Sequence, residues 1–184
     1  NIISGLIENF YPGKILREGS HVAIIGKPNV GKSSLLNALV EEDRAIVTTT
    51  PGTTRQLIKE EITVNGLLIN IIDTAGIRPT SEEIETLGIE KTLSTIERAD
   101  LILLIFDGSQ KLTAEDFEVI DKTSSKKIIY LFNKSDLLVE EKDLERLKKP
   151  GRSILKISAK FGLGIDDLKK EISRIIGQDG DLSA

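Results

Sequence analysis

The chain has 184 residues, 39% hydrophobic and 29% charged, the balance of one folded soluble domain rather than of a disordered chain. No cysteine and a single histidine, His21, argue against disulfides, thiolate nucleophiles and cysteine- or histidine-based metal sites. A net charge of −4 argues against general nucleic-acid binding, and the longest apolar run, Leu101 to Phe106, is too short to cross a membrane. No charged-apolar-small pattern opens the chain as a signal peptide would, so a cytoplasmic location is expected. The lack of any methionine predicts a piece of a longer protein.

Residues 1–10 place Ile2, Ile3, Leu6, Ile7 and Phe10 on one helical face, and Tyr11-Pro12-Gly13 breaks the pattern. Residues 1–20 therefore read as a helix and lead-in from a neighbouring domain, residues 21–177 as the main domain, and 178–184 as a disordered tail. Val22 to Ile25 reads as a strand and Ser33 to Val40 as a helix. Strands around Leu57 to Val64 and Leu67 to Ile72 flank Asn65-Gly66, a two-residue hairpin signal, so they are expected to pair antiparallel. Ile89, Leu93 and Ile96 have helical spacing, and Leu101 to Phe106 reads as a fully buried strand. A helix near Ala114 to Asp121, a strand Ile128 to Phe132, a solvated helix within 139–149 and a strand Ile154 to Ile157 follow. The last helix carries Ile165, Leu168, Ile172 and Ile175 on one face, with Asp166 and Asp167 in its first turn. This rhythm predicts an α/β fold with a mostly parallel six-stranded sheet, one antiparallel edge strand and helices on both faces.

Gly26-Lys27-Pro28-Asn29-Val30-Gly31-Lys32-Ser33 fits the G-x-x-x-x-G-K-[ST] pattern between a predicted strand and a predicted helix, the context expected of a P-loop NTPase. Glycines let backbone amides close around phosphate oxygens, and the helix N-terminus adds partial positive charge. Asn29, Val30, Gly31, Lys32, Ser33 and Ser34 are the expected phosphate-binding residues, with Lys32 on the β- and γ-phosphates and the Ser33 hydroxyl on Mg²⁺. Asn133-Lys134-Ser135-Asp136 and Ser158-Ala159-Lys160 each follow a strand, where open α/β sheets place ligands. The Asp136 carboxylate can accept from guanine N1 and N2, which adenine does not offer. Asn133, Lys134, Asp136, Ser158, Ala159 and Lys160 are therefore the expected base-binding set, and the order of motifs that of a Ras-like G domain. Asp73-Thr74-Ala75-Gly76 follows another strand: Asp73 is expected on Mg²⁺ through water, and the Gly76 amide on a γ-phosphate. One threonine of Thr53-Thr54, with Thr54 favoured, completes the Mg²⁺ shell. Ile77 stands where many regulatory GTPases carry a water-orienting glutamine, and an apolar side chain cannot orient water.

These motifs occur with Ile15-Leu16-Arg17-Glu18-Gly19, Gly52-Thr53-Thr54-Arg55, Ile77-Arg78, Leu87-Gly88-Ile89-Glu90 and Glu97-Arg98-Ala99-Asp100. Together, from about residue 12 to 176, the chain resembles the G domain of the MnmE (TrmE) family of tRNA-modification GTPases. The resemblance implies GTP hydrolysis stimulated by K⁺ through nucleotide-dependent G-domain dimerisation. It implies K⁺ ligation by Asn29 with backbone carbonyls of the loop around Thr48 to Gly52, the ligand set being Asn29, Thr48, Thr50 and Thr53. It implies a water-orienting role for Glu85, which as a bare residue in an acidic run reads as solvated, with Lys32, Gly76 and Thr54 completing the catalytic set. Gln56 departs from the family's aspartate. Whole family members work with the flavoprotein MnmG on tRNA wobble uridines; this chain carries neither their folate-binding and helical domains nor their cysteine motif, so it is expected to supply the nucleotide switch alone. Lys126-Lys127 is too small a basic patch to suggest RNA contact. Two alternatives stand beside this reading. One is a ribosome-assembly GTPase of the Der or Era type, the lead-in and Glu85 favouring the first reading over Der, and an RNA-binding domain, which would favour Era, not being visible in this sequence; the other is a nucleotide-dependent binding module with negligible turnover.

Overall fold

The computed structural model describes residues 19–41, 60–72, 94–137, 141–148 and 150–178. The strands are β1 (Ser20–Ile25), β2 (Glu60–Val64), β3 (Leu67–Ile72), β4 (Leu101–Asp107), β5 (Ile128–Asn133) and β6 (Ser153–Lys156). The helices are α1 (Lys32–Glu41), α2 (Ala114–Thr123), α3 (Glu141–Leu147) and α4 (Ile165–Gly177), with a further helical stretch at 94–98. One six-stranded sheet runs β2-β3-β1-β4-β5-β6. Every neighbouring pair is parallel except β2 with β3, the antiparallel edge that the alternation predicts. At the hairpin tip Asn65 and Gly66 have φ of 49° and 83°, the two left-handed positions that a type I′ turn requires.

The strand period of two sorts the core onto two faces. Val22, Ile24, Leu101, Leu103, Ile105, Ile129 and Leu131 pack with Leu35, Leu36 and Leu39 of α1 and with Ile165, Leu168, Ile172, Ile175 and Ile176 of α4. Ala23, Ile25, Ile102, Leu104, Phe106, Ile128, Tyr130 and Phe132 pack on the other face with Ile120 of α2, Leu147 of α3 and Ile96. Covering both faces explains why β4 and β5 are hydrophobic up to their last residues, Asp107 and Asn133, whereas edge strand β2 alternates buried and exposed positions. Each large aliphatic side chain removed from water here contributes about 1.5–3 kcal/mol.

Boundaries differ from the sequence expectation by one or two residues, for identifiable reasons. β1 begins at Ser20, because Ser20 and His21 extend the parallel register onto Ile69 and Asn70 of β3. β6 ends at Lys156: Ile157 still donates to Phe132 O at 2.9 Å, but Ser158 then turns to pair with Leu163. α2 runs on to Thr123, and it starts behind Thr113 in a capping box in which the Asp116 carboxylate accepts from the Thr113 amide at 2.8 Å. The expected helix in residues 1–10, the tail beyond Gln178, the start of the strand from Leu57 and most of the helix around Ile89 lie outside the described residues.

Candidate functional site

The parallel strands all point their carboxyl ends to one edge of the sheet, and the loops that leave there hold the motif residues. The loop Gly26 to Gly31 joins β1 to α1. Its glycines are dictated by close approach: a Cβ on Gly26 would stand 2.4 Å from Ile105 O, and one on Gly31, at φ +104°, 2.2 Å from Asn133 Nδ2. Asn29 is also left-handed, at φ 63°, and is exposed, while Val30 turns its side chain down into the core. Loop conformation is thus fixed from below by packing, with Ser33 and Ser34 exposed in the first turn of α1, where backbone amides lack intrahelical acceptors.

The Lys32 ammonium donates to Gly26 O at 2.8 Å and to Lys27 O at 2.6 Å, folding the side chain over its own loop. Burial lowers its pKa below the ordinary lysine value, and no carboxylate among the described residues opposes that effect. A desolvated ammonium held, among the described residues, by neutral carbonyls, over a left-handed turn at a helix N-terminus, is an arrangement complementary to an anion with several oxygens. Lys27 behaves differently. It donates to the Asp116 carboxylate at 2.8 Å and to Thr113 Oγ1, with Glu115 at 3.5 Å, and so ties the outer rim of the loop to the N-terminus of α2. Burial works to lower the Lys27 pKa, but the Asp116 and Glu115 carboxylates raise it on balance.

Asn133 joins three loops. Its side-chain amide donates to Val30 O at 2.8 Å, and its carbonyl oxygen accepts from the Ala159 amide at 2.9 Å, all in a site where Asn133 is 3% exposed. The phosphate loop and the Ser158-Ala159-Lys160 loop are therefore connected through one side chain. Asp136 stands exposed at the rim, with one oxygen accepting from Ser158 Oγ at 2.5 Å. Ser158 is fully buried, and its amide donates to Leu163 O at 2.9 Å. Lys134, left-handed at φ 64°, donates to Asp107 Oδ2 at 2.6 Å. Burial acts to raise the Asp107 pKa, but the bonds from Lys134 and from the Ser109 hydroxyl and amide outweigh it and lower the pKa. Lys160 is exposed, its ammonium 5.1 Å from the Phe161 ring centroid.

The structure thus brings Asn29, Val30, Gly31, Lys32, Ser33, Ser34, Asn133, Lys134, Asp136, Ser158, Ala159 and Lys160 to one edge of the sheet. Thr48, Thr50, Thr53, Thr54, Asp73, Gly76 and Glu85 lie outside the described residues. Among the described residues no group of three metal-binding side chains assembles. Asp107 and the Lys27–Asp116 link are parts of the site that motif reading missed. The first had a signal, an aspartate at the end of a buried strand; the second joins positions 89 residues apart and had none.

Residues 21–134 match the family described as 50S ribosome-binding GTPase. The chain belongs to that family. As this GTPase fold predicts, the chain is similar to solved P-loop GTPases: Aquifex aeolicus Era bound to GDP.AlF4-, at 31% identity with TM-score 0.62, covers 85% of this chain and 56% of its own. SelB of Methanococcus maripaludis with the GTP analogue GppNHp, at 22% identity and TM-score 0.61 over 86% of this chain and 34% of its own, shares the fold. The resemblance to MnmE stands on sequence. The tRNA modification GTPases MnmE of Thermoanaerobacter sp. and Heliobacterium modesticaldum are 48% and 46% identical to it over 98% and 97% of the chain. The chain spans 39% of the length of these relatives. It is a GTPase domain of this family, with the sheet and helices of a Ras-like P-loop fold.

Proposed function

We propose that the chain is the nucleotide-switching G domain of a tRNA wobble-uridine modification GTPase, hydrolysing GTP to GDP and phosphate as a K⁺-stimulated dimer formed across the nucleotide edge. The observation that carries this reading is 48% identity to an MnmE over 98% of the chain, beyond the GTPase motifs themselves. The 31% identity with Era keeps the ribosome-assembly reading as the second choice.

The residues present fit Mg²⁺ and K⁺ by the chemistry of their donors. Ser33, with Thr54 and, through water, Asp73, would hold Mg²⁺; Asn29 with loop groups around Thr48, Thr50 and Thr53 would hold K⁺. Cations held by these residues would supply positive charge against that developing on the β- and γ-phosphate oxygens. Lys32 exchanges its two loop carbonyls for phosphate oxygens, so positive charge already desolvated is supplied without further cost of burial. Asp136 selects guanine, Ala159 and Ser158 support it, and Asn133 keeps the two ends of the nucleotide in register. Glu85 orients the attacking water in place of the glutamine that Ile77 replaces, and the Gly76 amide reports the γ-phosphate. MnmG and tRNA are the partners of the longer protein, in the cytoplasm; no helix among the described residues is long and apolar enough to cross a membrane.

GTP turnover in K⁺ and in Na⁺, at low and high protein concentration, tests the proposal. A K⁺ preference that grows with concentration is expected, and Glu85→Ala should remove it without weakening GDP binding. Equal, slow rates in both salts at every concentration would overturn the K⁺-dimer mechanism.

A further inference from the structure

Three anchors hold the phosphate loop. At its start Gly26 lies so close to β4 that a Cβ would stand 2.4 Å from Ile105 O. At its far side Val30 buries its side chain in the core, and its carbonyl accepts from Asn133 Nδ2 at 2.8 Å. Between them runs the arm Lys27-Pro28-Asn29, in which Pro28 has no amide hydrogen and Asn29 is exposed and left-handed at φ 63°. Lys27 carries the third anchor. Its ammonium donates to Asp116 Oδ2 at 2.8 Å and to Thr113 Oγ1, across 89 residues of sequence in the first case. The same Asp116 oxygen accepts from the Thr113 amide at 2.8 Å and from the Thr113 hydroxyl at 2.9 Å, and Asp116 is buried. The far end of this link is itself fixed: Leu112, just before the cap of α2, donates its amide at 2.7 Å to the buried carboxylate of Asp143 on α3. At the near end Lys27 O accepts from the Lys32 ammonium at 2.6 Å. One residue therefore joins α2 through its side chain and Lys32 through its backbone.

We propose that Asp116 is a positioning residue for nucleotide binding, acting through Lys27 to hold the arm of the phosphate loop in its binding shape. The proposal rests on the nucleotide reading of this edge. The G-x-x-x-x-G-K-[ST] pattern leaves the Lys27 position unspecified, and Asp116 lies outside every motif. Carboxylates occupy the Lys27 charge, whereas Lys32 is held by carbonyls, so the two lysines of the loop have separate tasks. An ion pair between two elements that are each fixed in the fold loses little freedom on forming, unlike an exposed pair within one helix such as Lys122 with Glu118. The left-handed Asn29 is a conformation that a residue other than glycine keeps only where its surroundings fix it. Without the tether the arm samples other shapes, and affinity falls in proportion to the time spent outside the binding one.

The test is stopped-flow binding and release of a fluorescent GDP with Mg²⁺, on the parent, Lys27→Met, Lys27→Arg, Asp116→Ala and the double variant Lys27→Met with Asp116→Ala. Lys27→Met leaves the cap of α2 intact and is expected to lower the association rate about fivefold, the result of a loop in its binding shape about one-fifth of the time. The dissociation rate should stay at the parent value, because the bound complex loses no contact. Lys27→Arg should restore association. Asp116→Ala should lower association by a similar factor, and the double variant by about fivefold again, where independent roles would multiply to about 25-fold. A parent-like association rate in Lys27→Met overturns the proposal. Faster dissociation with unchanged association also overturns it, since Lys27 would then touch the nucleotide directly. Multiplied effects in the double variant overturn the route from Asp116 through Lys27. A parent chain that fails to bind GDP overturns the nucleotide reading and the proposal with it, whereas a binding parent with unaffected variants overturns the positioning role alone.

Discussion

Among the described residues Lys32 donates to carbonyls of its own loop, whereas Asn133 joins Val30 to Ala159 with both ends of its amide. Both belong to the nucleotide edge, but their bonds have different fates. On the proposed function, phosphate oxygens would take the place of the carbonyls that hold the Lys32 ammonium. The bonds of Asn133 close within the protein. On that reading one side of the site is held in a form that ligand must displace, and the other is built beforehand. The difference separates residues whose loss costs function from those whose loss costs structure first.

The largest expected effect is therefore on the built side. Asn133→Ala leaves the Ala159 amide and the Val30 carbonyl buried without partners, at about 1–3 kcal/mol for each unsatisfied group. Urea unfolding should show a loss of about 2–4 kcal/mol, with GDP affinity falling as the two loops lose their common anchor. An unchanged unfolding midpoint would show that the two loops are held apart from Asn133.

Lys32→Met should give the opposite pattern. GDP affinity is expected to fall by about 100-fold, or ~2.8 kcal/mol, as a charge-assisted contact is lost. Stability without nucleotide should hold or rise slightly, because an ammonium kept below its usual pKa by burial favours the unfolded chain while protonated. The sign follows from proton count: between the lowered folded pKa and the ordinary lysine value the unfolded state binds more protons, so this group's contribution to stability rises with pH. Nucleotide affinity runs the other way and declines as pH climbs through the lowered value. Lys32→Met should remove that alkaline decline.

Asp136→Ala is expected to lower GTP affinity by about 10- to 100-fold and to narrow the preference for GTP over ATP, since carboxylate bonds contribute about 1.5–3 kcal/mol. Its cost in stability should be small, because Asp136 is exposed and loses only the bond from Ser158. A thermal shift as large as that of Asn133→Ala would make Asp136 a structural residue.

How much of this was legible in the sequence depends on distance along the chain. The short apolar run of Val22 to Ile25, the Asn65-Gly66 turn and the buried run from Leu101 are local patterns, and each became the element that it implies. The glycine spacing of the phosphate loop was equally legible, because the same backbone geometry demands it wherever it occurs. The double role of Asn133 was not: its residue type marks a motif, but only the parallel crossing of β5 beside β4 and β6 places it between Val30 and Ala159. Lys27 with Asp116 is of the same kind, since side chains far apart in sequence meet only after the sheet order is set.

The smallest effect belongs to a support of the built side that is ionic rather than amide. Asp107 receives the Lys134 ammonium at 2.6 Å and the Ser109 amide at 3.0 Å, and so fixes the left-handed turn that follows β5. These bonds outweigh burial and lower the Asp107 pKa. A depressed carboxylate contributes stability that is complete above its unfolded pKa and is lost as pH falls through the folded value. Asp107→Asn should therefore cost about 1 kcal/mol at neutral pH. The difference between the two proteins should shrink in acid, where the parent carboxylate is itself protonated. Unfolding curves collected from neutral to acid pH check this, and a difference that stays constant across the range would show that the Asp107 carboxylate acts through its shape and not its charge.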